Sequence, residues 1–356
     1  MGGAPYYAGM AALRVGAELL YLCTAEEATG PIKGYSPELM VSEVYRWSVM
    51  SSHDAGVVEQ EKKRMVEKME ALLPRFHALV LGCGLGRDDR VLDAVARIIE
   101  AAKARKLPLV IDADGLWLIE RRPELVKGYN EAMLTPNAAE FRRLSAAVLG
   151  REDATVLELC EAMAGPIILQ KGAVDLIAAP QLSEVRRCAE EGAPRRPGGL
   201  GDFLAGSLGT LAAWAVLRRR SLVLACEAAC VLVRLACKES YRKRKRAMVA
   251  PDVLEEVGAA FETLCPARPA AGRLGTWDLG LGGGAKGPPS LLLACVFSSF
   301  FAGFVVFLVC FVLSVFWFSS CVLGGCKIKV CGNHAKGCKA RSTLGNFEVR
   351  EPPKNP

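Results

Sequence analysis

The chain has 356 residues, 51% apolar and 23% charged, which is enough for one large domain or two ordinary ones and excludes global disorder. Three histidines, His53, His77 and His334, exclude a His-rich metal site and leave a Ser-His-Asp triad few candidates. The net charge of +7 lies wholly beyond residue 265, where 10 Lys+Arg meet 3 Asp+Glu; residues 1–265 hold 35 of each, so they have no bulk electrostatic reason to bind nucleic acid.

The opening MGGAPYYAGMAALRVGAELLYL has no basic segment leading into an apolar core and is not Arg/Ser-rich, so no targeting segment is expected in it. Gly9 to Val15 reads as helix and Glu18 to Cys23 as strand. His77 to Leu81 is a short apolar strand, followed by an amphipathic helix over 88–105 with Val91, Leu92, Val95, Ile98 and Ile99 at helical spacing. Leu109 to Ile111, Ala132 to Thr135 and Ile167 to Gln170 are further strands, with Asp175 to Ala178 as a hairpin partner of the last. Phe203 to Arg218 and Leu222 to Tyr241 read as helices. Strands alternating with helices predict an α/β fold, its parallel sheet covered on both faces and its ligands at the carboxyl ends of the strands. Eight scattered cysteines before residue 266 read as buried thiols of an intracellular protein.

After Cys265 the character changes. Residues 266–290 form a Gly/Pro-rich linker. Residues 291–323 carry no charge and eight of the thirteen Phe, a stretch long enough to span a bilayer. Residues 324–356 are basic and read as disordered; Cys326, Cys331, His334 and Cys338 only loosely approach a zinc-knuckle spacing.

Five motifs fall where such a sheet places chemistry. Gly82-Cys83-Gly84-Leu85-Gly86 lets a backbone turn close to a phosphate or ring, or is a plain strand-to-helix turn. Asp112 and Asp114 follow a strand; they serve Mg²⁺ or a proton, or Asp112 caps the next helix. Thr135-Pro136-Asn137-Ala138-Ala139-Glu140 has capping-box spacing, yet Asn137 and Glu140 could also face one site and order phosphate-bound Mg²⁺. Lys171-Gly172 ends a strand, where a lysine either reaches a nucleotide phosphate or is merely solvated. Arg195-Arg196-Pro197-Gly198-Gly199-Leu200-Gly201-Asp202 runs into an apolar helix: its glycines make a nest of N–H groups at the positive helix end, and Asp202 is a base beside it, or alternatively the helix N-cap.

These motifs, in this order, resemble the ATP-dependent NAD(P)H-hydrate dehydratases of the ribokinase-like superfamily, with supporting likeness in residues 2–22, 32–41, 110–119 and 257–264. The resemblance covers residues 2–264 and implies a three-layer α/β/α sandwich with a mostly parallel central sheet. It further implies dehydration of the S-form of NADHX and NADPHX, the hydrated forms of NADH and NADPH, with ATP consumed to ADP and phosphate. By resemblance Asp202 is the base on the C6 hydroxyl, and Gly84 with Asn137, Ala138, Ala139, Glu140, Phe141, Arg142 and Arg143 contacts the hydrated cofactor. Lys171, Gly172, Ala173, Val174 and Asp175, together with Gly192, Ala193, Pro194, Arg195, Arg196, Pro197, Gly198, Gly199, Leu200 and Gly201, contact ATP, and Mg²⁺ sits near Glu140.

The resemblance also implies functional coupling to an NAD(P)HX epimerase and a mitochondrial or cytoplasmic setting. The family carries a strand and a glycine-rich loop before GAP, where this chain has Met1-Gly2-Gly3, so the first strand is expected to be missing. Residues after 265 have no family counterpart and read as a splice-derived extension, a membrane anchor or a folded-back apolar helix. Two alternatives stay open: a small-molecule kinase of the same superfamily, and an inactive membrane-associated isoform.

Overall fold

In the computed structural model, which describes residues 2–266, strands and helices alternate along the chain. The first part runs α1 (Gly3–Val15), β1 (Tyr21–Ala25), α2 (Glu26–Lys33), β2 (Met40–Tyr45), α3 (Trp47–Met50) and α4 (Ala55–Leu72). Next come β3 (Leu79–Leu81), α5 (Asp89–Ala104), β4 (Leu109–Ile111), α6 (Ala113–Arg121), β5 (Ala132–Leu134), α7 (Ala138–Leu149) and α8 (Val156–Met163). The last part is β6 (Ile167–Gln170), β7 (Asp175–Ala178), β8 (Arg186–Cys188), α9 (Leu200–Leu217), α10 (Leu222–Arg244) and α11 (Ala250–Leu264).

Six strands form one sheet in the order β3-β4-β5-β6-β7-β8, parallel from β3 to β6 and antiparallel thereafter; β1 and β2 pair in parallel by themselves. Side chains alternate across a strand, so each strand feeds two cores. Val80, Val110, Met133 and Leu169 join α1, α9, α10 and α11 on one face. Leu79, Leu81, Leu109, Ile111 and Leu134 join α4 to α8 on the other. This is the three-layer α/β/α sandwich with a mostly parallel sheet that the motifs led us to expect.

Strand ends and helix ends lie a few residues from where the sequence places them, and several elements, among them α2, β2, α3, α4, α8 and β8, have no counterpart in the sequence reading. Glycine in the left-handed region at Gly16 (φ +119°) ends α1, and the strand after it starts only at Tyr21, where it meets Met40 of β2. In α4 only Val58, Glu61, Met65 and Met69 are buried, a stripe one side chain wide on a charged helix. The strand β2 carries Ser42 and Glu43 in its middle, and β8 shows two exposed arginines before the buried Cys188. The helix α2 holds a proline, Pro31. None of the eight cysteines of the described part is in a disulfide, and seven of them are buried. The expected linker, apolar segment, basic tail and Cys/His quartet, all beyond residue 266, lie outside the described residues.

α1 and α9 are in backbone contact. A Cβ on Gly206 would stand 1.9 Å from the carbonyl oxygen of Ala8, and the Thr210 hydroxyl donates to the Ala12 carbonyl at 3.2 Å. α9 is buried on most of its circumference, and α1 sets where its N-terminal end lies.

Candidate active site

The site is built at the carboxyl ends of β3 to β6, where ladder bonds continue past the strands. Asp112 N donates to Leu81 O (3.0 Å), Thr135 N to Ile111 O (3.1 Å) and Lys171 N to Pro136 O (2.8 Å). These bonds seat Asp112, Thr135 and Lys171 side by side. Gly82 sits at φ +111°, and a Cβ there would fall 1.7 Å from the Asp112 carbonyl, so only glycine allows β3 and β4 to end this close together.

Lys171 Nζ lies 2.6 Å from Asp112 Oδ1, and the Thr135 hydroxyl donates to the same oxygen at 2.8 Å. Glu140 stands 4.0 Å from the ammonium on its other side. Burial works against the charge on Lys171, but the Asp112 and Glu140 carboxylates outweigh it and hold its pKa above the usual value. Asp112 caps nothing: the first residue of α6 receives no side-chain bond from it, and the N-cap alternative falls. Asp114 instead accepts from Gly86 N (2.9 Å) and from Arg87 Nε (2.9 Å), tying α6 to the glycine loop after β3.

Asp202 lies in the first turn of α9, whose N-cap is Gly199 at φ +102°, ψ −12°. Asp202 is therefore not the cap. The first intrahelical bond runs from Phe203 N to Gly199 O (3.0 Å), which leaves the amides of Leu200, Gly201 and Asp202 at the open, positive end of the helix. A Cβ on Gly201 would meet Lys171 Nζ at 3.3 Å and Asp112 Oδ2 at 3.4 Å, so the glycine lets the nest close on the lysine–aspartate pair. Cys83 Sγ and carboxylate oxygens of Asp112 and Asp202 lie within 4.8 Å of one another. Burial, and then the neighbouring Asp112 charge, raise the Asp202 pKa to about 7; the Cys83 thiol bond and the Lys171 charge oppose the rise and are outweighed. A carboxylate tuned to neutrality beside a nest of amides is equipped to take a proton while an anion is held.

Next to the nest opens a cavity of about 1200 Å³. Its wall is formed by Asn137–Ala139, by Lys171, Gly172, Ala173 and Asp175, by residues 189–201 and by one face of α10. A sequence model of the family described as NAD(P)H-hydrate dehydratase matches residues 1–258. The chain belongs to the NAD(P)H-hydrate dehydratase family. The ATP-dependent (S)-NAD(P)H-hydrate dehydratase of Rattus norvegicus is 46% identical over 275 residues, covering 74% of this chain and 75% of that one. Its Bos taurus counterpart is 44% identical over 275 residues, covering 74% and 78%. The fold matches that of the Bacillus subtilis ADP/ATP-dependent NAD(P)H-hydrate dehydratase co-crystallised with ATP and Mg²⁺, at 21% identity and a TM-score of 0.52, over 74% of this chain and 86% of that one.

The residues expected around ATP in this family member fall together: all but Val174 line the cavity. Asn137, Ala138 and Ala139, expected on the hydrated cofactor, open onto the same cavity. Gly84, Glu140, Arg142, Arg143 and Asp202 are not on its wall. Phe141 is a correction: its ring is buried at 3% exposure in the core under α7, where the helical period turns it away from solvent, and it presents nothing to a ligand. Arg143 is held by Glu120 at 3.0 Å. Glu140 does form the capping box, accepting from Asn137 N at 2.7 Å while Asn137 accepts from Ala139 N and Glu140 N, and its carboxylate also stands 4.0 Å from Lys171 Nζ.

Sequence reasoning missed three contributors. Cys83 has no role in the sequence reading beyond that of a buried thiol within the glycine motif, yet its thiol reaches Asp202. Tyr7 packs edge-on to Phe203, with ring centroids 5.3 Å apart, and lies against Gly199. Arg234 lines the cavity from α10. Its one sequence signal was a lone charge in the apolar run VLVRLAC.

Proposed function

We propose that this chain dehydrates the S-form of hydrated NADH and NADPH to NAD(P)H at the expense of ATP, releasing ADP and phosphate. The carrying observation is Asp202, its pKa raised to about 7 by burial, at the open end of α9 and next to the Lys171–Asp112 pair. Ionised Asp202 takes the proton of the ring C6 hydroxyl as that oxygen attacks the γ-phosphorus of ATP. The amides of residues 200–202 steady the phosphoryl group in transit, and Lys171 faces the phosphates. The resulting ester loses phosphate from C6 and a proton from C5, which restores the ring double bond. Positioned base catalysis of this kind contributes on the order of 10²–10⁴-fold.

Mg²⁺ fits this donor set through Glu140. Its buried carboxylate has a raised pKa because burial disfavours its charge, and a cation would relieve that cost. Glu140 would hold the phosphate-bound ion through water, and the ion would supply neutralisation of phosphate charge.

The test is absorbance at 340 nm of the full chain with hydrated NADH, ATP and Mg²⁺. ATP-dependent growth with release of free phosphate is expected. A stable phosphate ester in place of NADH would make the protein a small-molecule kinase, and a folded protein yielding neither product would be the inactive isoform.

A further inference from the structure

Asp175 lies in the segment expected to contact ATP, yet both of its carboxylate oxygens are already engaged. Oδ1 accepts from Gly172 N at 2.9 Å, and Oδ2 accepts from Arg234 Nε at 2.8 Å. Arg234 comes from the middle of α10, 59 residues further along the chain. Its two terminal nitrogens donate to three carbonyls: Gly172 O at 3.0 Å, Ala173 O at 3.0 Å and Glu190 O at 3.1 Å. Its side chain is 14% exposed, that of Asp175 10%. Gly192 rests against its stem, since a Cβ there would stand 3.7 Å from Arg234 Cγ.

One guanidinium therefore joins two separate strips of the cavity wall, the turn 172–175 and the strand exit at 190–192. A planar fork of five donors can span such divergent acceptors; a lysine ammonium, with three donors on one atom, cannot. We infer that Arg234 and Asp175 form a positioning clamp that presents both nucleotide-facing strips to ATP, with Asp175 acting through Arg234 and the Gly172 amide and making no contact of its own with the nucleotide. The inference rests on the reading of this cavity as the ATP site.

Two variants of the full chain test it, Arg234→Met and Arg234→Lys, each with three readouts. The first is amide hydrogen exchange of residues 172–175 and 190–192, which needs no nucleotide. The second is equilibrium binding of a fluorescent ATP analogue with Mg²⁺. The third is turnover of hydrated NADH. In Arg234→Met, exchange in both strips should quicken and ATP affinity should fall on the order of 10-fold or more, as loss of a charge-assisted network implies. At saturating ATP, kcat and the KM for hydrated NADH should stay within about 3-fold, because Asp202 and its surroundings are untouched. Arg234→Lys should recover only part of the affinity.

Unchanged ATP affinity would overturn the clamp, whatever the exchange shows. Equal losses in kcat and in both KM values would overturn it too, as would failure of both variants to fold, since the arginine would then serve the fold as a whole. A wild-type chain that binds ATP but makes no NADH would instead refute the dehydratase reading and leave the binding and exchange data to judge the clamp.

Discussion

Replacing Asp202 with Asn should make the protein inactive and, above neutral pH, more stable. The side chain keeps its shape but can no longer take a proton, so kcat should fall on the order of 10²–10⁴-fold. The stability change follows from the same burial. Folding moves the carboxyl from an ordinary pKa of 3.8 to about 7, which corresponds to at most about 4 kcal/mol of differential stability. Between those two values the folded state holds a proton that the unfolded state has released. Stability from this group is therefore complete below about pH 3.8, declines as pH rises, and is wholly lost above about 7. Asparagine carries no such dependence. At pH 8 the variant should melt several degrees above the wild type, and at pH 5 the gap should shrink to below about 2 kcal/mol. In the wild type, activity should fall about tenfold per pH unit below 7, as Asp202 becomes protonated. Thermal unfolding at both pH values and the 340 nm assay check this. An active variant, or one that melts lower at pH 8, would refute both the base assignment and its electrostatic origin.

Lys171→Met leaves the buried Asp112 without its cation and should cost about 3–5 kcal/mol in denaturant unfolding, along with most ATP-dependent turnover. Gly206→Ala drives a methyl to 1.9 Å from the Ala8 carbonyl between two rigid helices; it should cost more than about 4 kcal/mol, seen as loss of soluble protein or a large fall in melting temperature. Asn137→Ala removes one half of the α7 capping box and should cost only about 1 kcal/mol, measured by chemical unfolding.

Local chemistry explains how much of this was legible. Apolar triplets such as Leu109–Ile111 followed by Asp, Thr-Pro or Lys-Gly declare a parallel sheet and its ligand edge at once. The glycines before α9 announce a nest of amides at a helix start; the structure adds that Gly199 turns left-handed and that Gly201 lies against the Lys171–Asp112 pair. Asp112 misled because an aspartate at the start of a helix is most often a cap; Lys171, 59 residues away, decides otherwise. The Arg234–Asp175 pair has the same separation, and no periodicity reports a contact between a helix and a turn so far apart. The helix α4 escaped because its buried stripe is narrow and Glu61 is part of it.

The contact between α1 and α9 bears on biosynthesis. Ala12 and Thr210, which bond across it, are 198 residues apart. At ribosomal speeds of about 5–20 residues per second, α1 waits on the order of 10–40 s before its partner exists. Throughout that interval Ala8, Ala11, Ala12 and Val15, buried in the finished protein, are without the helix that covers them. The N-terminal end of α9, which carries Asp202, cannot be set before that docking. Nascent chains of this protein thus pass through a long stage in which a chaperone has an apolar helix to grip and the enzyme has no active site.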